Sequence, residues 1–217
     1  MEGGLLGNLG GLHHDLGDLE AARRHYEQAL DVAESVGDRR WQGNACSNLG
    51  LLLLEQGHHA EAHERLDQAR GLARGAGNVR LEYTVACNLG ILLTAEGRLA
   101  EAERHMSDAV DAAVRAADRR SEGQFRGYLS VTLARQGRLD EARAALDLGE
   151  QALRSLSDSL SLALLTCDRA EVELLAGRQA AAQQAHALAV SVADHLACGA
   201  DSELQRRIRA VSILIAG

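Results

Sequence analysis

Proline and lysine are both absent from this chain, and aromatic residues make up only 2% of it. A β-sandwich or barrel draws on β-branched and aromatic residues and on turn prolines, so an all-β fold is not expected. No apolar run approaches the ~20 residues that a membrane-spanning helix needs, and no basic segment followed by an apolar one marks a signal peptide. The four cysteines, Cys46, Cys87, Cys167 and Cys198, form no CxxC pair and have no zinc-finger spacing. They read as small buried or half-buried thiols in a reducing compartment, and the cytoplasm is the expected location. All 23 cationic residues are arginine, set against 31 acids for a net charge of −8. Neutralising phosphates supplies most nucleic-acid affinity, so a negative chain without a basic stripe is not expected to bind nucleic acid.

What is present is an ordinary soluble balance, 46% hydrophobic and 25% charged, in 217 residues. That length holds one large domain or two small ones. The strongest signal is a repeat. Glycine recurs at Gly17, Gly57, Gly97, Gly137 and Gly177, and alanine at Ala22, Ala62, Ala102, Ala142 and Ala182. Leucine occupies Leu9, Leu49, Leu89 and Leu129 and lapses to Arg169. A small residue stands at Ala29, Ala69, Ala109, Gly149 and Ala189. Every series has the same period of forty residues.

Each unit reads as two helices. In the second unit the first helix is predicted over about 42–56, with Cys46, Leu49 and Leu53 on one face. Glycine ends it, because a residue without Cβ takes the left-handed turn that follows a helix. The second helix is predicted over about 59–76, with Ala62, Leu66, Ala69 and Ala73 as a narrow apolar face. Helices approach closely only where one offers no bulk, so the recurring alanine marks their crossing. Between units, Asp38, Asn78, Asp118 and Asp158 are placed to cap the next helix. A hairpin of this kind cannot bury its apolar face alone, so neighbouring units must stack.

The run from Asn8 to Leu30, with Asn-Leu-Gly, Leu-Gly-Asp-Leu-Glu-Ala-Ala and Tyr-Glu-Gln-Ala-Leu, resembles the tetratricopeptide repeat (TPR). The forty-residue unit and its Gly-Asp-Arg junction are similar to the long repeats of Pins-type G-protein-signalling modulators and kinesin light chain. The C-terminal arrays of bacterial signalling ATPases and transcriptional regulators are similar too. The common TPR unit is shorter and usually has a proline near the end of its second helix, which this chain lacks. The resemblance implies an all-α, right-handed superhelical solenoid of about five helix-turn-helix pairs plus a C-terminal cap helix. The expected organisation is one domain over 1–217, with units at about 2–40, 41–80, 81–120, 121–160 and 161–199. The cap helix is expected at about 202–215.

The pattern breaks at both ends. Arg169 and Glu173 stand where leucines are expected, and after Gly199 the register slips by two, so that Val211 takes the leucine position. Ser202 and Gln205 have capping-box spacing. At the other end, Gly3, Gly4, Gly7, Gly10 and Gly11 crowd the first helix. An interior glycine costs about 1 kcal/mol against alanine, so this helix is expected to fray at its start. No preceding helix covers Leu5, Leu6, Leu9 or Leu12. Either the chain is cut from a longer protein or a second copy covers this edge, which makes a homodimer an expectation.

No catalytic constellation is evident, and neither an enzyme activity nor a cofactor is expected. His59 and His63 have the i, i+4 spacing of a metal pair but no third ligand, so they read as surface histidines and no metal is expected. His13-His14 and His58-His59 flank the glycine turns and read as exposed. Cys87 and Cys167 hold equivalent positions without an activating neighbour in sequence.

The functional signal lies on the first helices, which in TPR arrays line the concave side. Their stripe at i, i+4, i+7, i+11 reads Asn44, Asn48, Leu51, Glu55; then Thr84, Asn88, Ile91, Ala95; then Gln124, Tyr128, Val131, Arg135. Asn8 and Asp15 continue it in the first unit, and Asp168 and Glu171 in the fifth. A side-chain amide both donates and accepts, so it can bind an extended peptide backbone of any sequence. Related TPRs use asparagines at this position in that way. By resemblance Asn48 and Asn88 carry the role best, Tyr128 supplies an aromatic anchor, and Leu51, Ile91 and Val131 floor the groove. The amides can equally bond to a neighbouring helix. Arg39, Arg40, Arg119, Arg120 and Arg135 could pair with an acidic ligand or with nearby acids. The expected function is a non-catalytic module holding a peptide segment of a partner protein. The alternatives are a regulatory arm of a larger signalling ATPase or transcriptional regulator, and a self-assembly module.

Overall fold

A computed structural model describes residues 2–217. The described residues form eleven α-helices and no strand. In chain order these are α1 (Glu2–Asp15), α2 (Leu19–Ser35), α3 (Arg39–Glu55), α4 (His59–Gly75), α5 (Val79–Ala95), α6 (Leu99–Arg115), α7 (Arg119–Arg135), α8 (Leu139–Arg154), α9 (Ser159–Leu175), α10 (Gln179–His195) and α11 (Glu203–Ala216). Five pairs of a first and a second helix are thus followed by one unpaired helix. The second-unit helices are 39–55 and 59–75 rather than 42–56 and 59–76, and the cap helix is 203–216 rather than 202–215. α3 starts three residues early because Asp38 accepts hydrogen bonds from the backbone N–H of Arg40 and Trp41, both at 3.1 Å. Asp18, Asn78, Asp118 and Asp158 cap α2, α5, α7 and α9 in the same way. Ser202 accepts from the Gln205 N–H at the start of α11.

The turns divide into two kinds. Within each pair, the second residue after the first helix is always glycine in the left-handed region, from Gly17 at φ +84° to Gly177 at +68°. Between pairs, Gly37 and Gly77 do the same, but Ala117 and Ser157 hold φ +54° and Ala197 +50°. Those three carry a Cβ in a conformation that costs an L-residue about 1–2 kcal/mol.

The helices gather into two compact units, residues 1–96 and 97–217, which divide in the turn after α5. In the first, α1 packs on α2 and α3, and α3 packs on α4 and α5. Its core includes Tyr26, Leu49, Leu52, Leu66, Leu89 and Leu92. In the second, α7 packs on α6, α8 and α9, and α11 lies on α9 and α10. Leu133, Leu146, Leu153 and Val172 form one cluster there, and Cys167, Ala189, Leu204, Ile208 and Val211 another. The five crossing alanines, Ala22 through Ala182, are all fully buried.

Several expectations are corrected. The glycines of α1 are not only a propensity cost. A Cβ on Gly10 would stand 2.5 Å from the Tyr26 ring, and one on Gly4 2.8 Å from the Trp41 ring. Two of the few aromatic rings therefore fill space that a side chain on the helix would need, and α1 is helical from Glu2 onward. Leu6 is not uncovered; it packs on the core of the first unit, whereas Leu5, Leu9 and Leu12 are exposed. His14 is buried, not exposed. Its Nε2 lies 3.0 Å from Glu55 Oε1 and its Nδ1 3.4 Å from the Tyr26 hydroxyl.

The breaks in the fifth unit are filled by ion pairs. Glu173, only 5% exposed, accepts from Arg178 at 2.6 and 2.7 Å and from Arg143 at 3.2 and 3.3 Å. The Arg178 bonds, then those from Arg143, hold its carboxyl below the usual range. Arg169 reaches Asp147 and Glu150.

Candidate functional site

The first unit carries an open cleft of about 280 Å³ between α3 and the start of α5. From α3 it is lined by Arg40, Asn44, Ser47 and Asn48, whose spacing from Asn44 by three and four residues sets them on one face. Asn78, Arg80, Leu81 and Thr84 line it from the other side. Asn78 is fixed by its capping bond, its Oδ1 accepting from the Leu81 N–H at 3.3 Å. Ser47 is fixed from behind, where its Oγ accepts from Asn88 Nδ2 at 3.2 Å. Thr84 donates to the Arg80 carbonyl. The amides of Asn44 and Asn48 have no hydrogen-bond partner among the described residues, and both are half-buried in the cleft wall. None of the eight lining residues is an acid. The wall offers donors and acceptors from amides, a hydroxyl pair and two guanidinium groups, with Leu81 as the apolar contact.

Asn44, Asn48 and Thr84 are thus brought together. Asn88 is buried and its amide nitrogen is engaged by Ser47, so it braces the wall rather than lining it. Leu51 and Ile91 lie half-buried on α3 and α5 outside the cleft, and Asn8 is exposed on α1. Arg40, Asn78 and Ser47 were not in the expected stripe. The signal that finds Arg40 is the junction pattern, in which Arg40, Arg80 and Arg120 recur two residues after the capping position.

In the second unit the same stripe is largely consumed. Gln124 donates to Ser161 at 3.3 Å, and Arg135 pairs with Glu171 at 2.7 Å. Val131 is buried in the core with Leu129 and Leu133, so it floors no open groove. Gln124 and Tyr128 line a recess of only about 10 Å³ with Ser161, Leu164, Leu165, Asp168, Glu203 and Arg207. Arg207 of α11 donates to the buried Asp168. Burial pushes the Asp168 carboxyl up to about 7, against the opposing pull of Arg207. Arg119 pairs with Glu122, and Arg120 with Asp158 at 2.9 Å.

Other candidate chemistry is absorbed in local contacts. His63 pairs with Asp67, and no group of three metal-ligating side chains occurs among the described residues. Cys46, Cys87 and Cys167 are buried. Burial raises the thiol of Cys46 to about 11 and that of Cys167 to about 12, away from reactive thiolate. No helix among the described residues is long and apolar enough to cross a membrane.

Comparison with known proteins agrees with this architecture. Two tetratricopeptide-repeat models match, one over residues 3–75 and the other over 84–107 and 123–147, together more than half of the chain. No curated protein matches. Among solved structures, a Rap protein complexed with competence and sporulation factor is 19% identical with a TM-score of 0.70, over 97% of this chain and 63% of that one. This chain therefore spans less than two thirds of that Rap protein. The apo form of RapI is 11% identical with a TM-score of 0.73, over 99% and 84% of the two chains. The TPR-like repeats of a putative kinesin light chain from Podosopora anserina are 15% identical with a TM-score of 0.61, over 88% and 94%. Likenesses at these identities establish the fold alone. With the repeat models, the helix pairs and the crossing alanines in agreement, this chain belongs to the tetratricopeptide-repeat family, an all-α solenoid of the kind that serves protein–protein interaction.

Proposed function

We propose that the protein is a non-catalytic interaction module, holding an extended segment of a partner protein in the cleft between α3 and α5. One observation carries this: Asn44 and Asn48 stand one turn apart in a cleft of about 280 Å³ with their amides unbonded among the described residues. An amide that no group of the protein engages is open to a ligand backbone, since each carbonyl and N–H of an extended strand matches one half of an amide. The complex of a structurally similar Rap protein with competence and sporulation factor supports a binding role for this architecture.

The test is Asn44→Ala combined with Asn48→Ala. Asn88 is left intact, because removing it would break a buried bond to Ser47. Wild-type and doubly substituted protein are used as bait in the native lysate, with captured proteins identified by mass spectrometry. The double variant is expected to lose specific partners while its melting transition stays within about 0.5 kcal/mol of wild type, as for surface changes. Equal capture by both baits would refute the cleft as the binding site.

A second reading, self-association through α1, is favoured by the exposure of Leu5 at 65% and of Leu9 and Leu12 beside it. Concentration-dependent mass in sedimentation tests it; a monomer at all concentrations would exclude it.

A further inference from the structure

One junction between helix pairs carries an arginine–acid pair whose counterpart two repeats earlier lacks the acid. In the second unit, Arg120 near the start of α7 reaches across to Asp158, the cap of α9, with Nε 2.9 Å from Oδ2. Shifted back by two repeats, the same two positions are Arg40, near the start of α3, and residue 78, the cap of α5. Residue 78 is asparagine. It still caps α5, but the carboxylate that would face Arg40 has been replaced by a neutral amide. Arg40 forms no ion pair among the described residues, is exposed, and stands in the cleft wall beside Asn44. The nearest acid on its own helix end, Asp38, is engaged by the backbone N–H groups of Arg40 and Trp41.

We infer that this cleft selects a carboxylate-bearing segment, with Arg40 taking from the ligand the carboxylate that Asp158 gives Arg120 within the chain. This rests on the proposed peptide-binding role and names the chemistry of its ligand. The net charge of −8 does not override it. Exposed charges beyond about 8 Å are largely screened at physiological salt, whereas a guanidinium–carboxylate contact at hydrogen-bond distance is screened far less. The amides of Asn44 and Asn48 then hold the backbone beside the anchored carboxylate.

The experiment uses a displayed library of random decapeptides selected on the full chain, on Asn78→Asp, on Arg40→Gln, and on the Asn44→Ala, Asn48→Ala pair. Asn78→Asp supplies the missing internal carboxylate without disturbing the cap, since aspartate caps α2, α3, α7 and α9 already. Wild type is expected to enrich peptides with Asp or Glu, or with a free C-terminus, at one fixed place. The best sequence, synthesised with and without a C-terminal amide and with its acid changed to the amide residue, separates side-chain from terminal carboxylate. Arg40→Gln and Asn78→Asp are each expected to weaken that peptide about tenfold, the usual worth of a charge-assisted hydrogen bond. Enrichment that needs Asn44 and Asn48 but shows no acid, or that Asn78→Asp leaves unchanged, overturns this inference and leaves the peptide-binding role standing. Enrichment indifferent to the asparagine pair, or none at all, overturns both.

Discussion

Gly50 is the sharpest test of how the helix pairs are held. It lies on α3 at the crossing with α4, where a Cβ would stand 2.7 Å from Leu66 Cγ, 2.8 Å from Leu66 Cδ2 and 3.4 Å from the Ala62 carbonyl oxygen. Leu66 is fully buried and Cγ is not the free end of its side chain, so it has nowhere to retreat. Two effects of opposite sign then compete in Gly50→Ala. Alanine gains about 1 kcal/mol of helix propensity. Carbon atoms pack at about 3.5–4.0 Å, so relieving the contact parts α3 from α4 by close to 1 Å, and overpacking of this kind costs about 1–3 kcal/mol. Separation on that scale also forfeits a quarter to a half of each contact across the seam, which places the cost at the upper end of that range. The expected net effect is a loss of about 1–2 kcal/mol.

Gly71 on α4 is the control, because nothing lies within 4 Å of its Cβ position. Gly71→Ala keeps the propensity gain without the clash and is expected to stabilise by about 0.5–1 kcal/mol. The assay is thermal denaturation followed by the fluorescence of Trp41, the chain's one tryptophan, which sits on α3 itself and reports the unit that contains both substitutions. For a protein of this length the two variants should melt on opposite sides of wild type, by about 2–4 °C per kcal/mol. If Gly50→Ala stabilises as Gly71→Ala does, the close crossing of α3 and α4 is wrong.

Two further perturbations test the junctions and the fifth unit. Ala117 holds φ +54° where Gly37 and Gly77 stand in earlier junctions, so Ala117→Gly is expected to raise stability by about 0.5–1 kcal/mol, relief of backbone strain outweighing the entropy of the unfolded chain; a loss in the denaturation midpoint would refute the strain. Glu173 has its folded pKa lowered by Arg178 and Arg143, so its contribution is present above the unfolded value of about 4.3 and is lost as pH falls through the folded one. The stability difference between wild type and Glu173→Gln should therefore shrink on acidification below about pH 4 in urea titrations, and a difference constant with pH would exclude the ion pairs as its source.

The helix pairs were legible because their signals are local and repeated. Gly17 to Gly177 needs only a left-handed turn, and Ala22 to Ala182 only a crossing, so the same residue solves the same problem in each unit. The site was legible only in part, for a different reason. A stripe at helical spacing says which face a residue occupies, not which neighbour it meets forty positions away. Asn48 and Asn88 share a register position, yet one lines an open cleft and the other bonds to Ser47 behind it. His14 was misplaced likewise: its position beside a turn suggested exposure, but Glu55 and the Tyr26 hydroxyl draw it inward. The ion-paired filling of the Glu173 position needed Arg143 and Arg178, which no periodic pattern links to it.

The register position of Asn48 and Asn88 shows how divergence between repeats separates binding from sealing. In the first unit Asn88 bonds to Ser47 on the preceding first helix, a neutral contact that leaves Asn44, Asn48 and Arg40 open. In the second unit the equivalent pair is Asp168 and Gly127, and a Cβ on Gly127 would stand 2.4 Å from Asp168 Oδ2. Glycine there makes room for a carboxylate, but a carboxylate buried without a partner is not tolerated. The partner comes from α11, whose Arg207 donates to Asp168. The three departures are each unfavourable singly and consistent only together, since breaking one side of a buried pair strands the other. What looked like decay of the fifth repeat is therefore a closure. The extra helix α11 is what carries an arginine to Asp168, and the recess there is about 10 Å³ where the first unit keeps a cleft of about 280 Å³.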